Sequence, residues 1–338
     1  MSKRRRKVCF FVHTKNPKEL QYKQFYSNDI RILHDLGYEV HIATDVLHLP
    51  RGMDLTLAWW WTWSWAPLLR GRLSGSPVVI TGVFNYECYP PERSYPGRSW
   101  PQRKVMAWNL RHAAANVFLT EYEREKVCSH LYVNNPCVSP CGLDLSRYPL
   151  PDRPTNSNLL VCITQLLRLH NRRKRVPELL HAIARVREVV PEVRLSILGE
   201  KNDGTEEVES LIRQLGLENI VELAGNVAEE EKIEYFRRAA VYCQPSAFEG
   251  FGMSIAEAMA CGVPVITSRV GAVPEVVGDE ALFCDGAYPR DLGGRIIELL
   301  RNRDLRQELS RRGSQRIRSL FPYERRREEL GRLFDTLI

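Results

Sequence analysis

Residues 245–267 read PSAFEGFGMSIAEAMACGVPVIT. This stretch decides the fold, because it runs a loop, a helix and a strand together. Cys261-Gly262-Val263-Pro264 stops the helix, with glycine at the usual left-handed position and proline just beyond. Ile255, Ala258, Met259 and Gly262 recur at helical spacing, which predicts one small, apolar face. Gly250 and Gly252 let the backbone approach a ligand closely. The helix is expected to begin near Gly252 and to add a dipole that favours an anion. Glu249 precedes the helix, and Glu257 lies more than one turn inside it. The two carboxylates flank the anion cradle, which suits a ligand with phosphate in the middle and hydroxyl groups on either side.

The rest of the chain supplies a sheet for this helix to rest on. Apolar runs at 8–13, 39–44, 54–60, 77–82 and 116–120 read as strands. Helical patterns fall at about 22–36 and 102–114. A second alternating series starts at 159–165. It continues through a helix at 176–189, a strand at 193–198, a helix at 206–215, a strand at 220–223, a helix at 229–238 and a strand at 241–244. Strands at 264–267 and 281–284 and helices at 291–301 and 305–319 follow. Such alternation implies parallel sheets covered on both faces. The stretch 149–158, PLPDRPTNSN, is rich in proline and polar residues and reads as an interdomain linker.

Composition narrows the class. The chain has 338 residues, a length suited to two domains, and 44% of them are hydrophobic. No apolar run reaches the length of a membrane span. The apolar piece after the basic start MSKRRRK is too short for a signal-peptide core. Nine cysteines without a framework predict reduced, mostly buried thiols in a cytoplasmic protein. The net charge of +7 fits an anionic substrate, an anionic membrane surface or nucleic acid. No zinc-finger or RNA-binding motif is present, so nucleic acid ranks last. The start of the chain has no Gly-x-Gly-x-x-Gly, which argues against a dinucleotide dehydrogenase. The stretch after Gly199 lacks a P-loop lysine. No Asp-x-Asp metal-diphosphate pair is found.

The Glu-x7-Glu pattern within EGFGMSIAEAMACGVPVI resembles the donor-site signature of retaining glycosyltransferases of family 4 (glycosyl transferases group 1). That resemblance implies an α/β GT-B fold, with two Rossmann-like domains facing a central cleft. The expected domains are 1–150 with a crossing helix at 322–338, and 151–321. It also implies a hexosyltransferase-type enzyme that moves sugar from a nucleoside-diphosphate sugar to a hydroxyl acceptor in polysaccharide, glycolipid or glycoconjugate synthesis. Neither metal nor other cofactor is expected, and the protein would be cytoplasmic or peripheral at the membrane face. Pro140-Cys141-Gly142-Leu143-Asp144 and the closing FPYERRREELGRLFDTLI are similar to the family's domain-end turn and last helix.

The resemblance assigns site roles. QLLRLHNRRKRVPELLHA is similar to a cationic segment of the family and places diphosphate contacts at Arg168 and Lys174. A slip of one or two residues would bring in Arg172 or Arg173. Glu249 would hold donor-sugar hydroxyls. Gly250, Phe251, Gly252, Met253 and Ser254 would surround sugar and phosphate, Glu257 would take the ribose, and Asn226 and Val227 would lie near the base. The chain departs from the pattern in its first half: HTKNPKELQYKQF has no glycine pair, and ITGVFNYECYPPERSYPG has no histidine. Asn85 and Tyr86 stand in that second neighbourhood as acceptor candidates. Two further readings are a non-catalytic sugar- or membrane-surface-binding protein on a decayed GT-B fold, and a sugar-nucleotide epimerase.

The segment WWWTWSWAPLLRGR, beginning at Trp59, crowds five tryptophans into one strand or turn. Each indole N–H needs a partner if buried. Three readings remain open: a core strand, an acceptor-stacking site, or a membrane contact helped by Arg70 and Arg72.

Overall fold

The computed structural model describes residues 4–150 and 157–338. The central part of the expected linker, residues 151–156, lies outside the described residues. The chain divides into two compact units. The first comprises Met1–Asp144 with Phe321–Ile338, and the second Leu145–Leu320. The boundary falls ahead of the expected position 150, because Tyr148 binds within the second unit. Its carbonyl accepts from Arg318, and its hydroxyl donates to Glu229 Oε1 at 3.4 Å.

The first unit is built on a parallel sheet of six strands: β1 (Lys7–Val12), β2 (Glu39–Ala43), β3 (Leu55–Trp59), β4 (Val78–Gly82), β5 (Ala115–Phe118) and β6 (Pro136–Val138). Their order is β2-β1-β3-β4-β5-β6. Val8–Val12, β3 and β4 are buried throughout, as near-continuous apolar runs in a parallel sheet should be. Four main helices accompany it: α1 (Gln24–Asp35), α2 (Trp65–Ser74), α3 (Trp100–His112) and α4 (Glu121–Cys128). Thr120 caps α4 by accepting the Glu123 N–H at 3.3 Å.

The closing helix, Tyr323–Asp335, belongs to this unit. Leu330 and Phe334, one turn apart, are fully buried. Leu333 and Leu337 of the expected stripe are half-buried. Burying each large side chain contributes roughly 1.5–3 kcal/mol as an upper range. The helix is also tied by its backbone: Leu143 N–H donates to the Phe321 carbonyl at 2.8 Å, and Tyr323 N–H to the Leu143 carbonyl at 2.9 Å.

The tryptophan segment corrects the expectation of a single strand or turn. Strand β3 ends at Trp59, Trp60 takes a left-handed φ of 74°, and Trp65 opens α2. Trp59 and Trp61 are core residues, and the N–H groups find partners. Trp59 donates to Asp29 Oδ2 at 3.1 Å, Trp60 to Tyr26 Oη at 2.6 Å and Trp61 to Asn116 Oδ1 at 2.7 Å. Satisfied indoles remove the cost that argued against burial. Trp63 is the exposed member, and its ring lies 4.2 Å from that of His13.

The second unit repeats the architecture with β7 (Leu159–Ile163), β8 (Arg194–Leu198), β9 (Val221–Gly225), β10 (Val241–Gln244), β11 (Val265–Thr267) and β12 (Leu282–Phe283). The order is β12-β11-β10-β7-β8-β9. Its helices include α5 (Arg168–Arg173), α6 (Val176–Val186), α7 (Thr205–Gln214), α8 (Glu229–Arg238), α9 (Met253–Ala260), α10 (Pro289–Arg301) and α11 (Arg303–Leu320). In α6, Val176, Leu179, Leu180, Ile183 and Val186 are buried at helical spacing. They join Leu160, Leu195, Ile197 and Val241 of the sheet in one core. The strand order runs outward from β7 in one direction and from β10 in the other. The β7–β10 boundary is therefore the topological switch point, where the carboxyl ends of an open α/β sheet leave a crevice.

Candidate active site

The segments that leave β7 and β10 bring the charged residues together. Glu249 follows β10 and is buried, at 7% exposure. Arg173, at the end of α5, donates from Nη1 to Glu249 Oε2 at 3.1 Å and to the Phe248 carbonyl at 3.0 Å. Lys174 Nζ lies 3.6 Å from Glu249 Oε1 and is itself buried. Ala247 N–H donates to the Arg173 carbonyl at 2.7 Å, so the two segments are stitched through backbone as well.

Burial alone would raise the Glu249 pKa. Lys174 and Arg173, with the Ser246 hydroxyl, outweigh it and bring the carboxyl down to about 2. Desolvation lowers the Lys174 pKa, and the attraction of Glu249 offsets only part of that. The site is therefore a compact arrangement of two cations and one carboxylate rather than a simple pair.

Glu249 is oriented by a buried relay. Gln244 Nε2 donates to Glu249 Oε1 at 2.7 Å, and Ser246 Oγ donates to the same oxygen at 2.8 Å. The hydroxyls of Tyr242 and Ser254 both donate to Gln244 Oε1, the latter at 3.0 Å, which points the amide nitrogen towards Glu249. Gly271 sits at a φ of +52°, and a Cβ there would come within 2.3 Å of the Glu249 carbonyl. That carbonyl accepts Ala272 N–H at 3.0 Å, so this close approach anchors the loop.

Helix α9 begins at Met253, as expected. Gly252 caps it at a φ of +91°, a conformation that glycine adopts without steric cost. The first-turn N–H groups of Met253, Ser254 and Ile255 have no carbonyl within the helix to bond. Gly250 and Phe251 lie between Glu249 and this cap, with Phe251 buried.

Glu257 lies inside α9, 6% exposed. Lys232 of α8 bonds it at 2.8 Å and pairs with Glu229 at 2.9 Å. Burial raises the Glu257 pKa, and Lys232 opposes that shift only in part. Glu257 and Glu229 together raise the Lys232 pKa against its own burial. Asn226 is exposed and Val227 half-buried just after β9, where Gly225 takes a φ of +75°.

Arg168 is placed elsewhere. Its backbone N–H and Nε bond Asp203 at 3.1 and 3.2 Å, and Nε pairs with Glu207 at 3.0 Å on the surface. Arg173, five residues on, is the arginine that pairs with Glu249. Arg175, between the two helices, adopts a left-handed φ of 53° where a glycine would be at ease.

In the first unit, Asn85 has a φ of 58° and donates its N–H to Glu123 Oε1 at 2.8 Å. Tyr86 stacks on Tyr95 and His130, at 5.7 and 4.5 Å between ring centroids. Glu123 is buried, its Oε2 has no bonding partner, and burial raises its pKa to about 8.

No motif in the sequence singles out Lys232, Gln244, Ser246 or Glu123. Arg173 was within reach of the basic run HNRRKR, and Gln244-Pro-Ser directly precedes the glutamate loop. Lys232 had no comparable local signal, since its partner lies 25 positions away.

Residues 152–316 match the family model for glycosyl transferases group 1. The chain is 39% identical over 176 residues to the MMP alpha-(1->4)-mannosyltransferase of Mycolicibacterium hassiacum, covering 52% of this chain and 41% of that protein. It is 34% identical over 142 residues to the mannosylfructose-phosphate synthase of Agrobacterium fabrum, covering 39% of this chain and 31% of that protein. The chain thus matches these two curated relatives over less than half of their length. Among solved structures, sucrose-phosphate synthase from Thermosynechococcus elongatus superposes with a TM-score of 0.82 at 18% identity, over 98% of this chain and 99% of that one. Anabaena Alr3699/HepE in complex with UDP and glucose gives a TM-score of 0.79 at 17% identity, over 98% and 100% of the two chains. The fold is GT-B, with two parallel six-stranded sheets and their helices.

Proposed function

We propose that the chain is a glycosyltransferase that takes sugar from a nucleoside-diphosphate sugar, with retention of anomeric configuration and without a metal. The observation that carries this reading is the convergence of Arg173 and Lys174 on Glu249, beside the start of α9, at the sheet's switch point. Cations and helix N–H groups in one place stabilise the charge that develops on a departing diphosphate. They supply the positive charge that a metal would otherwise bring.

Glu249 Oε1 accepts from both Gln244 and Ser246, while Oε2 accepts from Arg173 alone and so keeps a lone pair for a sugar hydroxyl. We assign ribose recognition to Glu257, oriented by Lys232, and the base to the turn at Asn226 and Val227. Met253 and Ser254 contribute N–H groups to sugar and phosphate. Arg168 is replaced by Arg173 in this scheme. The loop carrying Asn85 and Tyr86, pinned by Glu123, is assigned to the acceptor.

In the reaction, the glycosidic C–O bond to the diphosphate breaks while the acceptor hydroxyl attacks from the same face. The acceptor proton passes to the leaving phosphate oxygen. Glu249 orients the sugar and stabilises developing positive charge, and does not itself attack. The buried thiols and the basic composition support a cytoplasmic protein with an anionic substrate and, peripherally, an anionic membrane surface. No helix among the described residues is long and apolar enough to cross a membrane.

The test is release of nucleoside diphosphate from a panel of nucleotide sugars, with and without hydroxyl acceptors, in the presence of a chelator. Acceptor-dependent release that survives chelation, with an axial or equatorial product linkage matching the donor, is expected. Loss of activity that added metal restores refutes the metal-free scheme. Silence across the panel favours a sugar-binding protein on a decayed fold, and isomerised donor without acceptor favours an epimerase.

A further inference from the structure

Helices α2 and α3 of the first unit pack against one another and together carry no acidic residue. Their basic residues are Arg70 and Arg72 on α2, and Arg103, Lys104 and Arg111 on α3. Large apolar side chains stand in water among these cations. Leu73 is 90% exposed, Leu69 48% and Trp100 64%. On α3, Trp100, Lys104, Trp108 and Arg111 follow one another at i, i+4, i+8 and i+11, which lays them along one face. Lys104 Nζ lies over the Trp100 ring at 5.6 Å, and Arg111 over the ring of Tyr132 at 5.3 Å. Tyr132 is itself 64% exposed. The two helices are neighbours in the fold, so their exposed residues stand side by side.

We infer that this surface docks on an anionic lipid bilayer. Interleaved aromatic and cationic side chains suit the boundary between headgroups and acyl chains, where the ring body is buried and the polar edge stays wet. Leucine tips such as Leu73 gain by leaving water, and long cationic side chains keep their heads among anionic lipids. A polyanion such as nucleic acid would use the cations and leave Leu73 and Trp100 without a role. This inference rests on the peripheral membrane contact proposed above and gives it a surface on the first unit; its test does not depend on transferase activity.

Flotation of the full chain with phosphatidylcholine vesicles, with and without phosphatidylglycerol, tests it. The protein is expected to float with the anionic vesicles only, and increasingly so at low salt. Neutralising Arg72, Lys104 and Arg111 together to Gln is expected to reduce partition about 100-fold, at about fivefold for each cation near an anionic surface. A Leu73→Ser, Trp100→Ser variant is expected to bind more weakly while keeping its salt sensitivity. Circular dichroism of each variant checks that the unit stays folded. Three results overturn the inference: no flotation with anionic vesicles at low salt, equal binding by the folded Gln variant, or binding indifferent to the Ser substitutions and matched by heparin. The last assigns the surface to polyanions in general.

Discussion

Arg326 on the closing helix donates from Nε and Nη2 to the two carboxylate oxygens of Asp29, at 2.6 and 2.8 Å, and both side chains are sealed from water. Asp29 Oδ2 also accepts the Trp59 indole N–H, and Arg326 reaches the carbonyl of Ser139. The last helix is thus held to the first unit by a buried ion pair as well as by Leu330 and Phe334. Breaking one member of such a pair leaves an uncompensated charge, at a cost of about 3–5 kcal/mol.

Arg326→Met is accordingly expected to destabilise the first unit by that order, as read from chemical denaturation. Replacing both partners with apolar residues is expected to cost much less. An Arg326→Met protein as stable as the parent contradicts the role given to the pair.

A second expectation separates the two glutamates. Glu249→Ala should abolish transfer, since the sugar loses its orienting carboxylate. Glu257→Ala and Lys232→Met should instead weaken nucleotide binding, by about 1.5–3 kcal/mol for a charged hydrogen bond, with turnover at saturation retained. Steady-state kinetics for the three variants separate the roles. Residual transfer in Glu249→Ala together with an equal loss of nucleotide affinity in all three would sink the assignment.

The third concerns pH. Glu123 has a folded pKa of about 8 against an ordinary 4.5. The folded chain therefore holds a proton that the unfolded chain has lost. The stability this contributes is fully present below the unfolded value and disappears as pH rises through about 8, on the order of 1.4 kcal/mol per unit of displacement. Glu123→Gln should flatten stability between pH 5 and 9 relative to the parent, roughly across that window. Glu249 behaves oppositely: its depressed pKa contributes stability above its unfolded value that is lost only as pH falls through about 2. Thermal melts across pH on parent and variant should differ in slope, and parallel curves would count against a buried, protonated Glu123.

Much of the fold was legible because parallel strands buried on both faces are written as unbroken apolar runs, such as VCFFV before His13. Gly37 and Gly262 marked helix ends for the same local reason. The short helices were not legible: α5 spans only Arg168–Arg173, and α2 lay hidden among tryptophans whose partners, Asp29, Tyr26 and Asn116, are distant in sequence. In the site, Glu249, Glu257 and the Gly252 cap were readable from one continuous motif. Which arginine stands beside Glu249 was not, because the partners of Arg173 and Arg168, Glu249 and Asp203, are distant in sequence. Lys232 and the Asp29–Arg326 pair depend on tertiary contacts that local spacing does not encode.

The most direct test of the central claim is calorimetric titration of the chain with nucleoside diphosphates, comparing parent, Arg173→Met and Arg168→Met. The account predicts that at least one nucleoside diphosphate binds without added metal. It predicts that Arg173→Met weakens that binding by roughly 10- to 100-fold, as loss of a charge-assisted hydrogen bond implies, and that Arg168→Met leaves it nearly unchanged. Absence of binding by every nucleoside diphosphate, or binding that Arg168→Met weakens and Arg173→Met does not, would contradict it.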